Sequence, residues 1–358
     1  MISKIILNNF RNYTSKSFHF KSDITVIFGD NGVGKTNILE AISLFKKGKG
    51  IRSVDLDEMV CNQAREAKFT IYSELNNHDD IANCATSFDK ISGKRIYHVN
   101  NSKVGSIRNF PAIIWLNPKM DSIFTDSKAV RRKFLDKIVG DIDQNHLSRI
   151  NDYDKCLRQR MIILQQNKDQ KWLEILERKI AELGVAIAIA RNEAIEYLNK
   201  SILLNESDFI KTQIKIIGEI EELAKFKKAL EVEEFFSEKL RQNRRLDLQS
   251  GRNLFGIHRS DFTAILENKN LTANFCSTGE QKSILIAITI ARVRINSFLN
   301  LPKAILLLDE IVSHLDNKKR QELFKELQKL EVQSFLTGTN REIFSNLDKS
   351  AEFLEISK

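Results

Sequence analysis

The pattern of apolar and polar positions changes twice along the chain. In the first third, short apolar runs at residues 2–7, 23–28 and 112–116 predict β-strands. Near-alternation of apolar and polar positions at residues 67–75 and 95–99 predicts two antiparallel strands. The opening part of the chain is therefore expected to be rich in sheet.

The middle third changes to a helical period. One stripe of apolar positions steps by three or four residues, which predicts an amphipathic helix of about 30 residues. Its members are Trp172, Leu176, Ile180, Leu183, Ile187, Ala190, Ala194 and Leu198. A shorter helical pattern through Tyr153, Leu157 and Leu164 precedes it, and the polar break at 167–170 predicts a helical hairpin. A further charged helix is expected at about 220–245.

The last third returns to alternating helix and strand. Helices are predicted at 281–298 and 317–330, and buried strands at 304–308 and 334–337. An α/β unit thus opens the chain at residues 1–118, a helical arm interrupts it at 119–249, and α/β structure closes it at 250–358. The fold class expected is α/β with a helical insertion.

Composition narrows the class of protein. The chain has 358 residues, of which 42% are hydrophobic, enough for a core and against general disorder. The four cysteines lie far apart without a C-x-x-C pair, which argues against a zinc ribbon and favours a reducing compartment. The absence of a long apolar run and of a signal-peptide pattern predicts a soluble, cytoplasmic protein.

The positive charge is concentrated at the start of the chain. The formal net charge is +9, and residues 1–118 contain 16 basic against 11 acidic residues. The local excess includes Lys46, Lys47, Lys49 and Arg52. A basic surface of this kind can bind a polyanion such as DNA, but it is also compatible with an ordinary solvated surface.

A phosphate-binding loop joins the predicted strand 23–28 to a helix. The sequence Gly-Asp-Asn-Gly-Val-Gly-Lys-Thr has the spacing G-x-x-x-x-G-K-T. Glycines let backbone amides surround phosphate oxygens, the lysine neutralises the β- and γ-phosphates, and the threonine hydroxyl can bind Mg²⁺. The predicted nucleotide-binding residues are Gly29, Asp30, Asn31, Gly32, Val33, Gly34, Lys35, Thr36 and Asn37.

An acidic pair follows the buried strand 304–308. Asp309 is expected to bind Mg²⁺, together with Thr36, and Glu310 to orient or deprotonate the attacking water. Catalysis is therefore assigned to Glu310 and Lys35. Any strand can end in two carboxylates, so this interpretation depends on the phosphate-binding loop.

A third motif begins the helix predicted at 281–298. Ser277, Gly279, Glu280 and Gln281 stand where a helix N-terminus could bind an anion. Taken alone, Ser277 and Glu280 form no more than a capping box.

Together the three motifs resemble the heads of ABC-type ATPases. In that family the loop of one subunit and the serine motif of another clamp one nucleotide. The segment Ser313-His-Leu-Asp316 resembles the D-loop of the family and adds Asp316 to the nucleotide contacts. Thr337-Gly-Thr339 stands where transporters have a switch histidine, so the chain is more similar to the recombination branch.

Within that branch the chain resembles the RecF family of bacterial gap-repair proteins. The resemblance rests on five blocks spread over residues 7–261. They are Leu7–Tyr13, Gly34–Ile42, Arg131–Asp136, Tyr153 through Gln159-Arg160, and Gly256–Asp261. Three positions depart from the family pattern: Glu280 replaces the usual Gln, and Ile257 and Ser260 replace Pro and Asp.

This resemblance implies a mechanism and partners. A RecF-like protein binds ATP and Mg²⁺, forms an ATP-driven homodimer and hydrolyses ATP slowly, stimulated by DNA. It binds duplex DNA and junctions of single and double strands. With RecR and RecO it helps to load RecA at gaps during repair, replication restart and the SOS response. DNA contacts are expected at Lys46, Lys47, Lys49, Arg52, Arg131 and Arg132, although the last two could equally face the nucleotide or acidic partners.

Three alternatives predict different features. An ATP-binding DNA clamp without meaningful turnover would share every motif, so it stays open. A transporter ATPase subunit should have the switch histidine. A P-loop small-molecule kinase would leave the Ser277 motif and the helical arm unexplained.

Overall fold

The chain leaves its first α/β unit after residue 120 and returns to it at residue 296. The computed structural model describes residues 1–77, 80–107, 110–166, 170–204, 210–312 and 315–357. Contacts divide these into one unit of Met1–Met120 with Asn296–Lys358 and a second unit of Asp121–Ile295. The predicted start of the arm at residue 119 lies close to the first division. The stretch 250–295, however, packs with the helical unit and not with the closing α/β segment.

The first unit contains an antiparallel sheet with strand order β2-β1-β4-β5-β6-β7. The strands predicted at 2–7, 67–75 and 95–99 are confirmed, and β2, β5 and β7 were not predicted. The strands are β1 (Ile2–Phe10), β2 (Tyr13–His19), β4 (Lys68–Asn77), β5 (Asp80–Asp89), β6 (Lys94–Val99) and β7 (Ser102–Val104).

A parallel sheet of order β14-β3-β13-β12-β8 completes this unit. Its strands are β3 (Ile24–Phe28), β8 (Ile113–Leu116), β12 (Ile305–Leu308), β13 (Ser334–Gly338) and β14 (Glu352–Glu355). All but β14 were predicted. Because the strands are parallel, their carboxyl ends lie at one edge, where such sheets bind ligands.

One apolar core joins the two sheets of the first unit. It includes Ile5 and Leu7 from β1, Ile27 from β3, and Leu307 from β12. Helix α1 (Lys35–Ser43) contributes several of its side chains to this core, and α9 (Asn317–Lys329) follows β12. The core therefore fixes the edge at which the phosphate-binding loop and the acidic pair both lie.

The second unit is mostly helical. Its helices are α2 (Lys128–Ile142), α3 (His146–Gln166), α4 (Gln170–Leu203), α5 (Glu219–Phe226), α6 (Ala229–Gln242), α7 (Arg244–Ser250) and α8 (Thr278–Phe298), the last of which ends past the division. A small antiparallel sheet contains β9 (Thr212–Ile217), β10 (Asp261–Leu266) and β11 (Leu271–Thr272).

The predicted helical hairpin is confirmed in α3 and α4. Tyr153 and Leu157 of α3 share a core cluster with Ile180 and Ile187 of α4. Residues 167–169 of the predicted polar break lie outside the described residues. Trp172 was wrongly placed on the buried stripe, since it is 49% exposed and Leu173 takes the buried position.

The single helix predicted at 220–245 is wrong. The segment forms α5, α6 and the start of α7, because Lys227 and Lys228 adopt extended backbone between α5 and α6. No described helix is both long and apolar enough to cross a membrane.

Candidate nucleotide-binding site

The predicted phosphate-binding loop connects β3 to α1. Gly32 and Gly34 have φ angles of 83° and 109°, in the region that favours glycine. At Gly29 a Cβ atom would lie 2.2 Å from the carbonyl oxygen of Ile356, so no side chain fits. The glycine spacing seen in the sequence is thus required by the backbone of the loop.

Lys35 lies at the base of this loop and is 4% exposed. Its Nζ donates hydrogen bonds to the carbonyl oxygens of Gly29 and Asp30, at 2.7 and 2.8 Å. Burial lowers the pKa of the ammonium, while the carboxylates of Glu310 and Asp309 oppose that shift. The loop therefore encloses a cation that can neutralise phosphates, next to carboxylates that can hold a metal ion.

Asp309 accepts hydrogen bonds from two threonine hydroxyls, one in the loop motif and one in β13. Its Oδ1 accepts hydrogen bonds from Oγ1 of Thr36, at 2.9 Å, and from Oγ1 of Thr337, at 2.8 Å. Burial raises the pKa of Asp309, and these two hydroxyl donors oppose the rise. The structure thus brings the predicted magnesium pair together, although 273 positions separate the two residues in sequence.

These residues fit Mg²⁺. The ion prefers oxygen ligands, and proteins usually supply one or two of them while phosphates and water supply the rest. Thr36 and Asp309 present a hydroxyl and a carboxylate oxygen within 2.9 Å of each other. Burial of the carboxylate makes its negative charge costly, and a bound cation relieves that cost.

Glu310 follows β12 with a strained backbone. Its φ angle is 53°, in the left-handed region that glutamate seldom adopts. Its N–H donates to Oγ1 of Thr337 at 2.9 Å, so one threonine supports both members of the acidic pair. Strain of this kind costs about 1–3 kcal/mol and is concentrated at functional sites.

A turn that was not assigned a role also contacts the loop. Between β1 and β2, Nδ2 of Asn12 donates to the carbonyl oxygen of Val33 at 3.0 Å. The hydroxyl of Tyr13, the first residue of β2, donates to the carbonyl oxygen of Gly34 at 3.2 Å. Nδ2 of Asn37 donates to Oδ1 of Asn12 at 2.7 Å. The block of residues 7–13 carried the family resemblance, but no local spacing links residue 12 to residue 33.

The Ser277 motif lies in the second unit and forms the predicted capping box. Both the N–H and the hydroxyl of Ser277 donate to Oε2 of Glu280, each at 2.9 Å. Lys269 bonds the other carboxylate oxygen at 2.6 Å. The ion pair and the Ser277 donors lower the pKa of Glu280 to about 2. The carboxylate therefore stays charged and keeps both Ser277 donors occupied.

The remaining predicted nucleotide contacts stay predictions. Nε2 of Gln281 donates to the carbonyl oxygen of Cys276 at 3.0 Å, and the carbonyl of Gly279 accepts from the hydroxyl of Ser283 at 2.8 Å. Asp316 caps α9 by accepting from the N–H of Lys319 at 2.9 Å. The D-loop residues Ser313 and His314 lie outside the described residues.

The basic segment after α1 divides into two groups. Lys47 is exposed, Lys46 lies 6.0 Å from the centroid of the Trp115 ring, and Lys49 pairs with Asp55 at 2.5 Å. These three lysines are near or at the surface and keep their predicted role as candidates for DNA contact.

Arg52 instead faces the helix that follows the loop. Its guanidinium donates to Oδ1 of Asn37 at 2.8 Å and lies 3.5 Å from the buried carboxylate of Glu40. The predicted DNA contact at Arg52 would compete with these bonds.

Arg131 and Arg132 are engaged within the second unit. Arg131 forms a two-pronged pair with Asp261, at 2.7 and 2.8 Å, and Arg132 donates to the carbonyl oxygen of Ser260 at 2.7 Å. The structure favours the acidic partner for Arg131 over DNA, because a phosphate contact would require this ion pair to break.

The other family-like blocks form buried polar contacts. Nε2 of His258 lies 2.8 Å from the carbonyl oxygen of Asn253, which can only accept, so Nδ1 accepts from the hydroxyl of Tyr153 at 3.0 Å. Burial lowers the pKa of His258 to about 4. Ser260, one of the departures, donates to both oxygens of Glu221 at 2.7 Å. An Asp at 260 would put a second carboxylate against Glu221.

The chain is similar to several known proteins. The RecF/RecN/SMC N terminal domain matches residues 1–108. The DNA replication and repair protein RecF of Mesorhizobium japonicum is 38% identical over 363 residues, covering 99% of this chain and 96% of that protein. A solved structure of the recombination mediator protein RecF-ATP in the RecFOR pathway has a TM-score of 0.81 at 25% identity, covering 100% of this chain and 98% of that chain.

A more distant likeness concerns the fold alone. An Smc head domain of Pyrococcus furiosus, solved with the C-terminal domain of ScpA, has a TM-score of 0.56 at 17% identity, covering 96% of this chain and 91% of that chain. Fold and site together define an ABC-type P-loop ATPase head, and SMC heads share its fold. Because the identity to RecF extends over nearly the full length of both proteins, the chain belongs to the RecF family of DNA replication and repair proteins.

Proposed function

We propose that this chain is an ATP-dependent, DNA-binding recombination mediator with a slow, DNA-stimulated ATPase. The observation that carries the ATPase is the contact of Thr36 with Asp309, 2.9 Å apart at the carboxyl edge of the parallel sheet. Lys35 neutralises the β- and γ-phosphates, and Thr36 and Asp309 hold Mg²⁺, which supplies positive charge to the phosphate oxygens. Glu310 orients the attacking water and accepts its proton.

ATP is proposed to join two copies of the chain head to head. Each copy carries a loop motif at Lys35 in one unit and a helix N-terminus at Ser277 in the other. One nucleotide needs only one phosphate-binding loop, so the second motif is proposed to bind the nucleotide of the partner copy. Two ATP molecules would then be held in each dimer.

Light scattering with increasing ATP, with and without duplex DNA, tests this dimer. The mass of the wild type is expected to double, and Lys35→Arg and Ser277→Arg should both remain monomeric. The first variant weakens phosphate binding, and the second places a bulky side chain where the partner's nucleotide would lie. Ser92→Arg, at an exposed turn of the first unit, is the matched control and should still dimerise. A wild type that stays monomeric with ATP and DNA would contradict the proposed head-to-head dimer.

Duplex DNA is proposed to contact Lys46, Lys47 and Lys49. The charge excess of the first 118 residues supports this assignment, as does the position of the three lysines just after helix α1. Each phosphate contact releases counterions, so affinity falls with salt at a slope of about 0.9 per contact.

Replacing these three lysines with alanine is expected to lower the salt slope of duplex binding by up to about 3. The measurement is fluorescence anisotropy of a labelled duplex over a series of salt concentrations. The matched control replaces three lysines on the exposed side of α9, with the same change in net charge: Lys318, Lys325 and Lys329. Equal slopes for the triple variant and the wild type would show that DNA does not contact these three lysines.

The wider role is proposed from the family. RecR and RecO are the expected partners, and RecA loading at gaps, in replication restart and the SOS response, is the expected outcome. The cytoplasm, where DNA is accessible, is the proposed location. The four cysteines are free in the structure, which is compatible with a reducing compartment.

A further inference from the structure

We propose that Asn12 is a positioning residue for ATP binding, holding the phosphate-binding loop from the turn between β1 and β2. The inference rests on the proposed ATP site and deepens it. Its basis is the pair of hydrogen bonds by which one carboxamide joins the loop at Val33 to the first turn of α1 at Asn37.

The two bonds use the two ends of the Asn12 side chain. Nδ2 donates to the carbonyl oxygen of Val33 at 3.0 Å, and Oδ1 accepts from Nδ2 of Asn37 at 2.7 Å. A carboxamide carries a donor and an acceptor on one planar group, so Asn12 can make both contacts at once. Asn37 in turn accepts from Arg52 at 2.8 Å, so the orientation of its amide is fixed as well.

The turn that carries Asn12 is itself anchored to α1. Arg11 binds the fully buried carboxylate of Glu40 through two hydrogen bonds, at 2.7 and 2.8 Å. Its backbone N–H donates to the carbonyl of Met59 at 2.8 Å. Such a two-pronged arginine–carboxylate contact fixes orientation as well as distance. The turn can therefore act as a rigid support for the loop.

Tyr13 adds a second contact one residue along the loop. Its hydroxyl donates to the carbonyl oxygen of Gly34 at 3.2 Å, and its ring packs edge-on against Phe18, with centroids 5.6 Å apart. Burial raises the pKa of Tyr13 to about 12, so the hydroxyl keeps its proton at neutral pH. Two successive loop carbonyls are thus held by neighbouring side chains.

Asn12 and Tyr13 lie very close to the loop at Gly34. A Cβ atom at this glycine would lie 2.6 Å from Nδ2 of Asn12 and 2.8 Å from the Tyr13 hydroxyl. These bonds turn the Val33 and Gly34 carbonyls toward the hairpin, which orders the loop before a nucleotide binds. Ordering a site in advance raises affinity, because binding no longer has to supply that entropy.

The test compares ATP affinity with the stability of the nucleotide-free protein. Asn12→Ala is expected to weaken the binding of ATP and of ADP about tenfold, the loss expected for one or two hydrogen bonds that order the loop. Asn12→Asp should lose more, because it cannot donate to Val33 and adds negative charge beside the phosphates. Tyr13→Phe, which keeps the packed ring, should lose about threefold.

Isothermal titration with ATP gives the affinities, and urea denaturation of the same preparations gives stability. Asn8→Ala is the matched control, since Asn8 lies in the same hairpin and its side chain bonds Ser15 and not the loop in the described contacts. Its ATP affinity should equal that of the wild type. If the wild-type protein bound no ATP, the proposed function would be overturned, together with this inference.

Two results would overturn the positioning role while the ATP site stands. One is a folded Asn12→Ala variant with ATP affinity within twofold of the wild type; if its urea midpoint also falls, the contact is purely structural. The other is an equal loss of affinity in Asn8→Ala. If Asn12→Ala does not fold, the Tyr13→Phe affinity decides in the same way.

Discussion

Glu310→Gln is expected to slow ATP hydrolysis by about 10²–10⁴-fold while ATP still binds. Glutamine keeps the size of the side chain but cannot accept the proton of the attacking water. The hydrogen bonds of Lys35 to the loop carbonyls and of Thr36 to Asp309 are kept in this variant, so nucleotide binding should persist. The measurement is phosphate release with saturating ATP, together with ATP affinity by titration.

The same variant should also lengthen the lifetime of the proposed dimer. Hydrolysis is expected to reset the clamp, so a blocked catalytic step leaves ATP at the interface. Light scattering after dilution from ATP into buffer without nucleotide measures the decay of the dimer. If the dimer of the variant dissociated as fast as the wild-type dimer, hydrolysis would not control dissociation.

Glu331→Gln is the matched control for Glu310. Both glutamates have φ angles near 50°, and Glu331 lies before the amino end of β13, whereas Glu310 follows the carboxyl end of β12. The two strands are parallel, so the two residues lie at opposite edges of the sheet. Glu331→Gln should hydrolyse ATP at the wild-type rate. If the wild type itself released phosphate no faster than Glu310→Gln, the chain would be an ATP-binding clamp without turnover.

The sequence was sufficient for the parts of the site that depend on local order. The loop of residues 29–36 and the acidic pair at 309–310 each follow a short apolar strand, and parallel strands bring their carboxyl ends to one edge. The contact of Thr36 with Asp309 could therefore be predicted without the structure. The support from Asn12 could not, because a hydrogen bond across 21 positions leaves no periodic pattern.

The fold shows the same division. Long stripes such as that of α4 have a clear period, whereas β5 buries only a short alternation of Cys84, Thr86 and Phe88 and was not predicted. The break between α5 and α6 has neither Pro nor Gly to mark it, only Lys227 and Lys228. Tertiary packing determines such boundaries, and the local sequence does not contain that information.

The blocks that identify the family have a structural role as well. Tyr153 bonds His258, Arg131 binds Asp261, and Arg160 is held among acidic groups, all within the second unit. Buried charges of this kind must be paired, since an isolated buried charge is very costly. These residues therefore hold the helical unit together whether or not they also touch a partner.

Arg160→Ala is expected to lower the free energy of unfolding of the second unit by about 3–5 kcal/mol. The Arg160 side chain is fully buried and bonds Glu177 at 3.0 Å, Asp247 at 2.6 Å, Asn253 at 2.7 Å and the carbonyl of Leu240 at 2.6 Å. Its removal leaves the buried Asp247 carboxylate without this cation. Glu177 is affected less, because Arg244 also binds it at 2.6 Å.

The two tryptophans allow this loss to be measured in one unit. Trp115 lies in the first unit and Trp172 in the second, so in a Trp115→Phe background the fluorescence reports the helical unit alone. Urea denaturation of Arg160→Ala in that background gives the change. Arg241→Ala is the control, since its pair with Glu238 is exposed and screened by water, so its urea midpoint should equal that of the background. If the two arginine variants unfolded at the same urea concentration, the buried carboxylates would not depend on Arg160, and its place in the family block would need an explanation outside folding.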